Sequence, residues 1–305
     1  MKKRMLTLLT ALGMTLSVAA LAQALPSQTF VASTGNDAND CTQSTPCRTF
    51  AGAVPKTVVK GVITAIDSST YGVVTIDKSL TIQAAPGVYA VVQGGRADDG
   101  VTISAGSTDV VVLRNLQIVT QSIATNKGVV INTVGTLHVE SCIITGFKDS
   151  GIGGPGVCNA GVCPELFVID TILRDNFRGM YIRSGNVTVD HCRVEDNTIG
   201  ILIQEAKVTI RDSVVGGNAG AGVTVIGTAG SPAGGGMENC LLTRNGIGLV
   251  LNGTASNPYF YVSTTMIVSN DLGLQPNGGH LFSFGNNRMA GNGLNGAFTD
   301  TIVTQ

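Results

Sequence analysis

Short stretches in which apolar and polar residues alternate recur along the second half of the chain, and each begins just after a glycine. After Gly179 and Gly222, for example, the chain reads Met-Tyr-Ile and Val-Thr-Val. Successive glycines of this kind lie 21 to 28 residues apart, and they are Gly128, Gly151, Gly179, Gly200, Gly222, Gly248 and Gly273. The alternation predicts short β-strands, because helical repeats need an apolar period of about 3.6 residues.

Most of these units contain a second strand and close on an asparagine. The second strands are Leu137–Val139, Leu166–Val168, Val187–Val189, Val208–Ile210 and Tyr259–Val262. The asparagine precedes the next glycine by three or four residues, and the column reads Asn176, Asn197, Asn218, Asn245, Asn270 and Asn292. Asparagine tolerates left-handed backbone and bonds nearby amides, so the column predicts a structural ladder at a corner.

Repeating strands of this length are typical of a β-solenoid, in which each strand pairs in parallel with its copy about 4.8 Å above and below. Less regular strands upstream fit the same scheme, which gives about nine to ten coils. We expect an N-terminal cap segment over residues 25–60, the solenoid over 61–297 and a short tail over 298–305.

Composition and charge exclude two classes of function, nucleic-acid binding and membrane insertion. Only 13% of the residues are charged and the formal net charge is −1, so the chain offers no basic surface for nucleic acid. Every apolar run after the first 24 residues is interrupted within a few positions by Gly, Asn, Ser or Asp, which excludes membrane insertion there.

The first 24 residues have the pattern of a signal peptide. Lys2, Lys3 and Arg4 precede an apolar stretch, and Ala22-Gln23-Ala24 is a small-residue cleavage site. We expect cleavage after Ala24 and a secreted or periplasmic protein.

The seven cysteines fall into two groups. The close pairs Cys41/Cys47 and Cys158/Cys163 indicate two local disulfides in an exported protein, with metal binding as the alternative, although no histidine lies nearby. The remaining three share one position of the repeat and are expected to be free, since two coils separate successive members: Cys142, Cys192 and Cys240.

Two segments carry a family resemblance. The stretch ASTGNDANDCTQSTPCRTFAGAV, which begins at Ala32, and the stretch VTIDKSLTIQA, which begins at Val74, resemble right-handed parallel β-helix proteins of the pectate-lyase-like superfamily. The resemblance implies an all-β, right-handed parallel β-helix with a short N-terminal capping helix over Thr49–Val54, broken at Pro55. It does not imply one activity, because that superfamily holds lyases, hydrolases, epimerases, esterases and proteins that are not enzymes.

Candidate catalytic residues lie in two adjacent columns of the repeat. Asp170, His191 and Asp212 occupy one position of three successive coils, and Asp190 lies in the column before it. A histidine between carboxylates could act in acid–base chemistry, while a polar corner ladder is the alternative. The superfamily's motif sets are not matched, and the acids are spread over separate columns. Metal binding is therefore not predicted, and calcium is a minor alternative.

A strip of side chains on the first strand of each unit is the candidate ligand surface. Tyr181, Arg183 and Gln204 are its candidate binding residues, for a polysaccharide groove or for a partner, and a covering loop is the alternative.

Three classes of function remain. The first is an exported, non-catalytic module that binds carbohydrate or has a structural role. The second is a lyase or hydrolase acting on an acidic polysaccharide, and the third is a self-associating, adhesin-like rod. No cofactor and no oligomeric state are indicated.

Overall fold

The structure, a computed structural model, describes residues 24–94, 98–120, 126–154, 163–227, 233–253 and 258–302, and in them almost every regular element is a short β-strand. All strand pairs are parallel and form three sheets along one stack. The twelve strands of sheet A are, in order, Gln28–Val31, Gly61–Ala65, Leu80–Ala84, Val110–Arg114, Thr136–Glu140, Glu165–Ile169, Asn186–Asp190, Lys207–Arg211, Gly234–Glu238, Tyr259–Ser263, His280–Ser283 and Asp300–Thr301.

Sheets B and C complete each coil. The ten strands of sheet B are Ser69–Thr70, Ala90–Gln93, Leu116–Val119, Ile143–Thr145, Ile172–Arg174, Arg193–Glu195, Val214–Gly216, Leu241–Thr243, Met266–Val268 and Arg288–Ala290. The nine strands of sheet C are Val74–Ile76, Val101–Ser104, Lys127–Thr133, Ser150–Gly153, Arg178–Ile182, Ile199–Gln204, Ala221–Gly227, Ile247–Gly253 and Leu272–Asn277.

The chain visits sheets A, B and C in turn, so its path is a parallel β-helix, as the repeat predicts. The nine described strands of sheet C are separated by eight intervals, and each interval is one turn of the helix. The described stack therefore makes about eight full turns. The expected nine to ten coils were therefore slightly too many. Inward-facing Val, Ile and Leu side chains from all three sheets form one continuous core, with Val189, Ile210 and Val225 fully buried.

A short helix closes the N-terminal end of the core. It spans Phe50–Ala53, a 3₁₀ turn follows over Val54–Lys56, and the Thr49 side chain caps it by accepting a hydrogen bond from the Gly52 amide. The fully buried ring of Phe50 fills the end of the core, so the helix covers apolar side chains that the first coil would otherwise expose to solvent.

The cysteines of the described chain agree with the predicted pairing where they can be compared. Cys41 and Cys47 form a disulfide with Cα atoms 4.6 Å apart. Cys163 is also disulfide-bonded, while Cys158, its predicted partner, lies outside the described residues.

The predicted signal peptide falls almost entirely outside the described residues, which begin at Ala24. Among the helices that are described, none is long and apolar enough to cross a bilayer.

The corner between sheets A and B is a single residue with left-handed backbone. Asp170, His191 and Asp212 have φ values of 50°, 52° and 49°, and the same position in other coils holds Asn115, Ser141, Asn239 and Thr264. Asn, Asp and His are enriched in this conformation, so the column is polar because the chain must turn there.

The corner between sheets B and C carries the asparagine ladder. The Asn218 Oδ1 atom accepts hydrogen bonds from the backbone amide and the side-chain amide of Asn197, at 3.0 and 3.1 Å. The same bonds join Asn176 to Asn197, Asn218 to Asn245, and Asn245 to Asn270, and they end at Asn292. Each coil thus satisfies a buried amide of its neighbour.

The repeating glycines lie where two coils come closest. A Cβ atom at Gly179 would lie 2.7 Å from the carbonyl oxygen of Gly200 and 3.2 Å from the Nδ2 atom of Asn197. The same two contacts, to the next glycine carbonyl and the next ladder asparagine, recur for Gly151, Gly222 and Gly248. The glycine and asparagine columns therefore form one packing unit.

Candidate functional site

The outer surface of sheet A, here called face A, is a ribbon formed by the outward side chains of its strands. In the five-residue strands from Val110–Arg114 to Tyr259–Ser263 the second and fourth residues point into the core, as the buried Val187 and Val189 show. The first, third and fifth residues point outward, so face A is about 13 Å wide at about 3.3 Å per residue. Parallel pairing in register aligns these outward residues into three columns along the stack.

The middle column of face A carries two stacks of aromatic rings. Near its centre His138 stacks on Phe167 with ring centroids 4.8 Å apart. Towards the C-terminal end Tyr261 stacks on Phe282 at 4.9 Å, and Tyr259 meets Tyr261 edge to face at 5.8 Å. The two stacks thus place aromatic surface at two points along the ribbon.

Small residues separate the two aromatic stacks. The middle column reads Phe167, Thr188, Thr209, Gly236 and Tyr261 on consecutive strands. Four strand spacings of about 4.8 Å place Phe167 and Tyr261 about 19 Å apart. The three small residues between them, here called the floor, form a shallow trough with an aromatic ring at each end.

A glycine strand allows one aromatic ring to lie against the sheet. A Cβ atom at Gly234 would lie 2.5 Å from the Cζ atom of Tyr259, so this ring covers the preceding strand. Beside it, Tyr261 is 36% exposed and lies open at the end of the floor.

A cluster of charged residues borders the floor on one side. The Asp190 carboxylate receives hydrogen bonds from Arg211 Nη2, at 2.5 Å, and lies 2.8 Å from the Nδ1 atom of His191. Asp190 is only 7% exposed. The covering side chains are those of Arg211 and His191, which remain exposed themselves.

The predicted stack of Asp170, His191 and Asp212 forms only in part. The structure brings the ligand atoms of Asp190, His191 and Asp212 within 4.8 Å of one another. Asp170 has the same left-handed corner geometry but is not a member of this group. The His191 ring thus contacts the carboxylate of Asp190, the residue before it in the sequence. It does not lie between the carboxylates of Asp170 and Asp212, as the stack predicts.

Calcium does not fit this cluster. Calcium takes six to eight oxygen ligands, whereas the cluster offers two carboxylates and a ring nitrogen. One of those carboxylates, that of Asp190, already pairs with the Arg211 guanidinium, and Asp212 accepts a hydrogen bond from Asn239 at 2.6 Å.

Acid should weaken the fold through Asp190. Burial raises the pKa of the Asp190 carboxyl, but hydrogen bonds from Arg211 and His191 outweigh burial and hold the pKa below 3.8. A depressed folded-state pKa stabilises the protein at a pH above the unfolded value, and this is lost as the pH falls through the folded value. We therefore expect the difference in Tm between wild type and Asp190→Asn to be largest near pH 7 and to shrink below about pH 4.

Asp175→Asn is the matched control for that titration, because the Asp175 side chain is 63% exposed. Thermal unfolding of the three proteins between about pH 2 and 7 measures the effect. A difference between wild type and Asp190→Asn that stays constant down to pH 2 would contradict the assignment.

The predicted ligand strip on sheet C is largely closed. Three residues point outward in the middle of the strip, and they are only 5 to 9% exposed: Leu202, Thr224 and Val250. Of the three candidate binding residues, Tyr181 donates a hydrogen bond to Gln204 at 2.8 Å, and Arg183 is exposed. This burial favours the covered alternative over an open groove.

The three free cysteines are not nucleophiles. Cys142, Cys192 and Cys240 are all buried, and burial raises the pKa of the Cys192 and Cys240 thiols to about 11. A thiol in this state is inert, so these residues serve packing.

The three parallel sheets and the repeat define a right-handed parallel β-helix protein. The chain belongs to the right handed beta helix region family, whose model matches residues 64–265. No curated protein matches the sequence.

Three solved structures are similar to this chain. A pectate lyase superposes with a TM-score of 0.56 at 13% identity, over 91% of this chain and 78% of that chain. The A-module of a mannuronan C-5 epimerase from Azotobacter vinelandii gives 0.46 at 11% identity, over 80% and 91%. A rhamnogalacturonan lyase gives 0.44 at 12%, over 83% and 84%. At 13% identity the likeness to the pectate lyase shows the fold alone.

Proposed function

We propose that the protein is an exported β-helix module that binds a polysaccharide along face A without cutting it. The observation that carries the proposal is the open trough between two aromatic stacks, with Phe167 at one end and Tyr261 at the other. Aromatic rings offer flat apolar surface for the faces of sugar rings, and threonine hydroxyls on the floor supply hydrogen-bonding groups.

Two further observations support the proposal. Binding clefts combine apolar rings with a few polar groups, and face A brings both together on a rigid sheet. The pectate lyase whose fold is similar acts on a polysaccharide, as its name states. For export, the Cys41–Cys47 disulfide supports an oxidising compartment, in agreement with the predicted signal peptide.

Removing a ring at either end of the floor should weaken binding. Loss of one aromatic contact is worth about 1 kcal/mol, so Tyr261→Ala and Phe167→Ala should each lower the affinity about fivefold to tenfold. Calorimetry against a panel of soluble polysaccharides gives the affinities. Tyr89→Ala is the matched control, because Tyr89 is 65% exposed and lies away from face A.

The two variants together also report how the ligand lies. A polymer along the floor loses affinity with both variants and keeps it with Tyr89→Ala. Equal affinity of wild type and all three variants, or no binding to any polymer, would refute the proposed function.

A second function, polysaccharide cleavage, is favoured by one observation. The buried Asp190 carboxylate holds the ring of His191, whose side chain remains 59% exposed at the edge of the floor. A histidine oriented by a carboxylate is a common arrangement for general acid–base catalysis. Asp190 would position the ring and Arg211 would fix the carboxylate.

Product analysis separates the two functions. The wild type is incubated with the same polymers, and new reducing ends and unsaturated products are measured. We expect none. Product that disappears in His191→Gln, while binding is retained, would instead establish a lyase or hydrolase centred on His191.

A further inference from the structure

We infer that the ligand of face A is an uncharged polysaccharide, and not a polyuronate. This inference rests on the proposed function and adds the chemical class of the polymer. It comes from the charges that surround the floor.

The floor itself carries no charge. Thr188, Thr209 and Gly236 present two hydroxyl groups and bare backbone, and the two rings that border them directly, Phe167 and Tyr261, add only apolar surface and one phenol. A polymer lying there meets groups that bind hydroxyls and sugar faces, and none that neutralises a carboxylate.

The borders of the floor are acidic. From the strand Glu165–Ile169 to the strand Gly234–Glu238, the outward and corner side chains include two cations and five carboxylates besides His191: Lys207, Arg211, Glu165, Asp170, Asp190, Asp212 and Glu238. Arg211 is paired with Asp190, and Lys207 has no ion pair among the described residues, where four further carboxylates remain. A polyanion on the floor is therefore repelled.

Calcium would not reverse this repulsion by bridging. The exposed Glu165 and Glu238 lie on opposite borders of the floor and three coils apart, so they cannot share one ion. Asp190 and Asp212 are held by Arg211 and Asn239. The carboxylates thus act as separate negative charges along the trough.

The direct test compares polymers of different charge at low ionic strength. Affinities are measured for neutral β-glucan, xylan and mannan, for polygalacturonate with and without calcium, and for chitosan. We expect the tightest binding to one of the neutral polymers, and at least tenfold weaker binding of polygalacturonate. Tighter binding of polygalacturonate, with or without calcium, or of chitosan would overturn the inference and leave the proposed function intact. Failure to bind any of them would refute both.

A charge-reversal variant gives an independent arm. Glu165→Lys/Glu238→Lys should raise the affinity for polygalacturonate at least tenfold at low salt and leave that for the neutral polymer unchanged. Screening at about 1 M salt should remove the gain. Asp40→Lys/Asp77→Lys, two exposed positions near the N-terminal end, changes the net charge equally and is the matched control. An equal gain in both variants would show a general charge effect and overturn the inference.

Discussion

Replacing Gly179 by alanine should destabilise the protein by about 3 kcal/mol, the upper end of the usual cost of overpacking. The added methyl would lie 2.7 Å from both the Gly200 carbonyl oxygen and the Cγ1 atom of Val194. The carbonyl belongs to a strand that is bonded into sheet C, so it cannot move away without breaking pairs above and below. Thermal unfolding should show Tm lower by about 6 to 12 °C.

Gly106→Ala is the control for this prediction. A methyl there meets only the carboxylate of Asp109, at 2.9 Å, and no backbone atom of a neighbouring coil. We expect a loss below about 1 kcal/mol. Similar shifts in Tm for the two variants would show that inter-coil contact at the glycine column does not limit stability.

The fold could be predicted because the residues at the corners of its coils recur at regular intervals in the sequence. Each coil repeats a glycine, because the next coil leaves no space for a side chain there. Each coil also repeats an asparagine, whose side chain accepts a hydrogen bond from the amide of the preceding coil. Both requirements come from backbone geometry, so they recur whatever the function is. The core strands add only the alternation of Val, Ile and Leu, which many β-folds share.

The number of coils was harder to predict. The strand Gly234–Glu238 begins with three glycines and lacks the β-branched residues that mark its neighbours. It belongs to sheet A because Lys207–Arg211 and Tyr259–Ser263 pair on either side of it. Tertiary pairing therefore decides its conformation, and local preference does not.

The candidate site could be predicted from the sequence less well than the fold. Asp190 and His191 could be singled out from the sequence, but their contact could not, because it depends on the left-handed turn at His191. Burial of Leu202 and Val250 likewise depends on what covers sheet C, which the repeat pattern does not encode.

Face A was missed, although its signal was present. Aligning the second strands of the units places His138, Phe167, Thr188, Thr209 and Tyr261 in one column. Their alternation with buried residues shows that the column points outward. Corner residues in this fold serve the backbone, so outward strand positions are where function can vary, and the aromatic column is the clearest departure from a purely structural surface.

Replacing Asn218 by alanine should cost about 3 to 5 kcal/mol, because it leaves two buried backbone groups without partners. Asn218 is fully buried; its Oδ1 accepts from the Asn197 amide, and its Nδ2 donates to the Val194 carbonyl at 3.1 Å. Each orphaned group costs about 1 to 3 kcal/mol. Denaturant unfolding measures the loss, and Asn186→Ala, at an exposed position of sheet A, should change stability by less than about 0.5 kcal/mol.

Asn218→Asp separates the hydrogen bonds from the volume of the side chain. Aspartate keeps an acceptor for the Asn197 amide, but when ionised it has no donor for the Val194 carbonyl, and burial raises the pKa of the new carboxyl. A group whose pKa is raised on folding adds stability at low pH and loses it as the pH rises through the folded-state value. The variant should therefore be as unstable as Asn218→Ala at pH 7 and partly recover near pH 4, where the protonated carboxyl can donate. If the aspartate variant instead keeps wild-type stability at every pH, the volume of the side chain at the corner, and not the ladder of hydrogen bonds, holds the coils together.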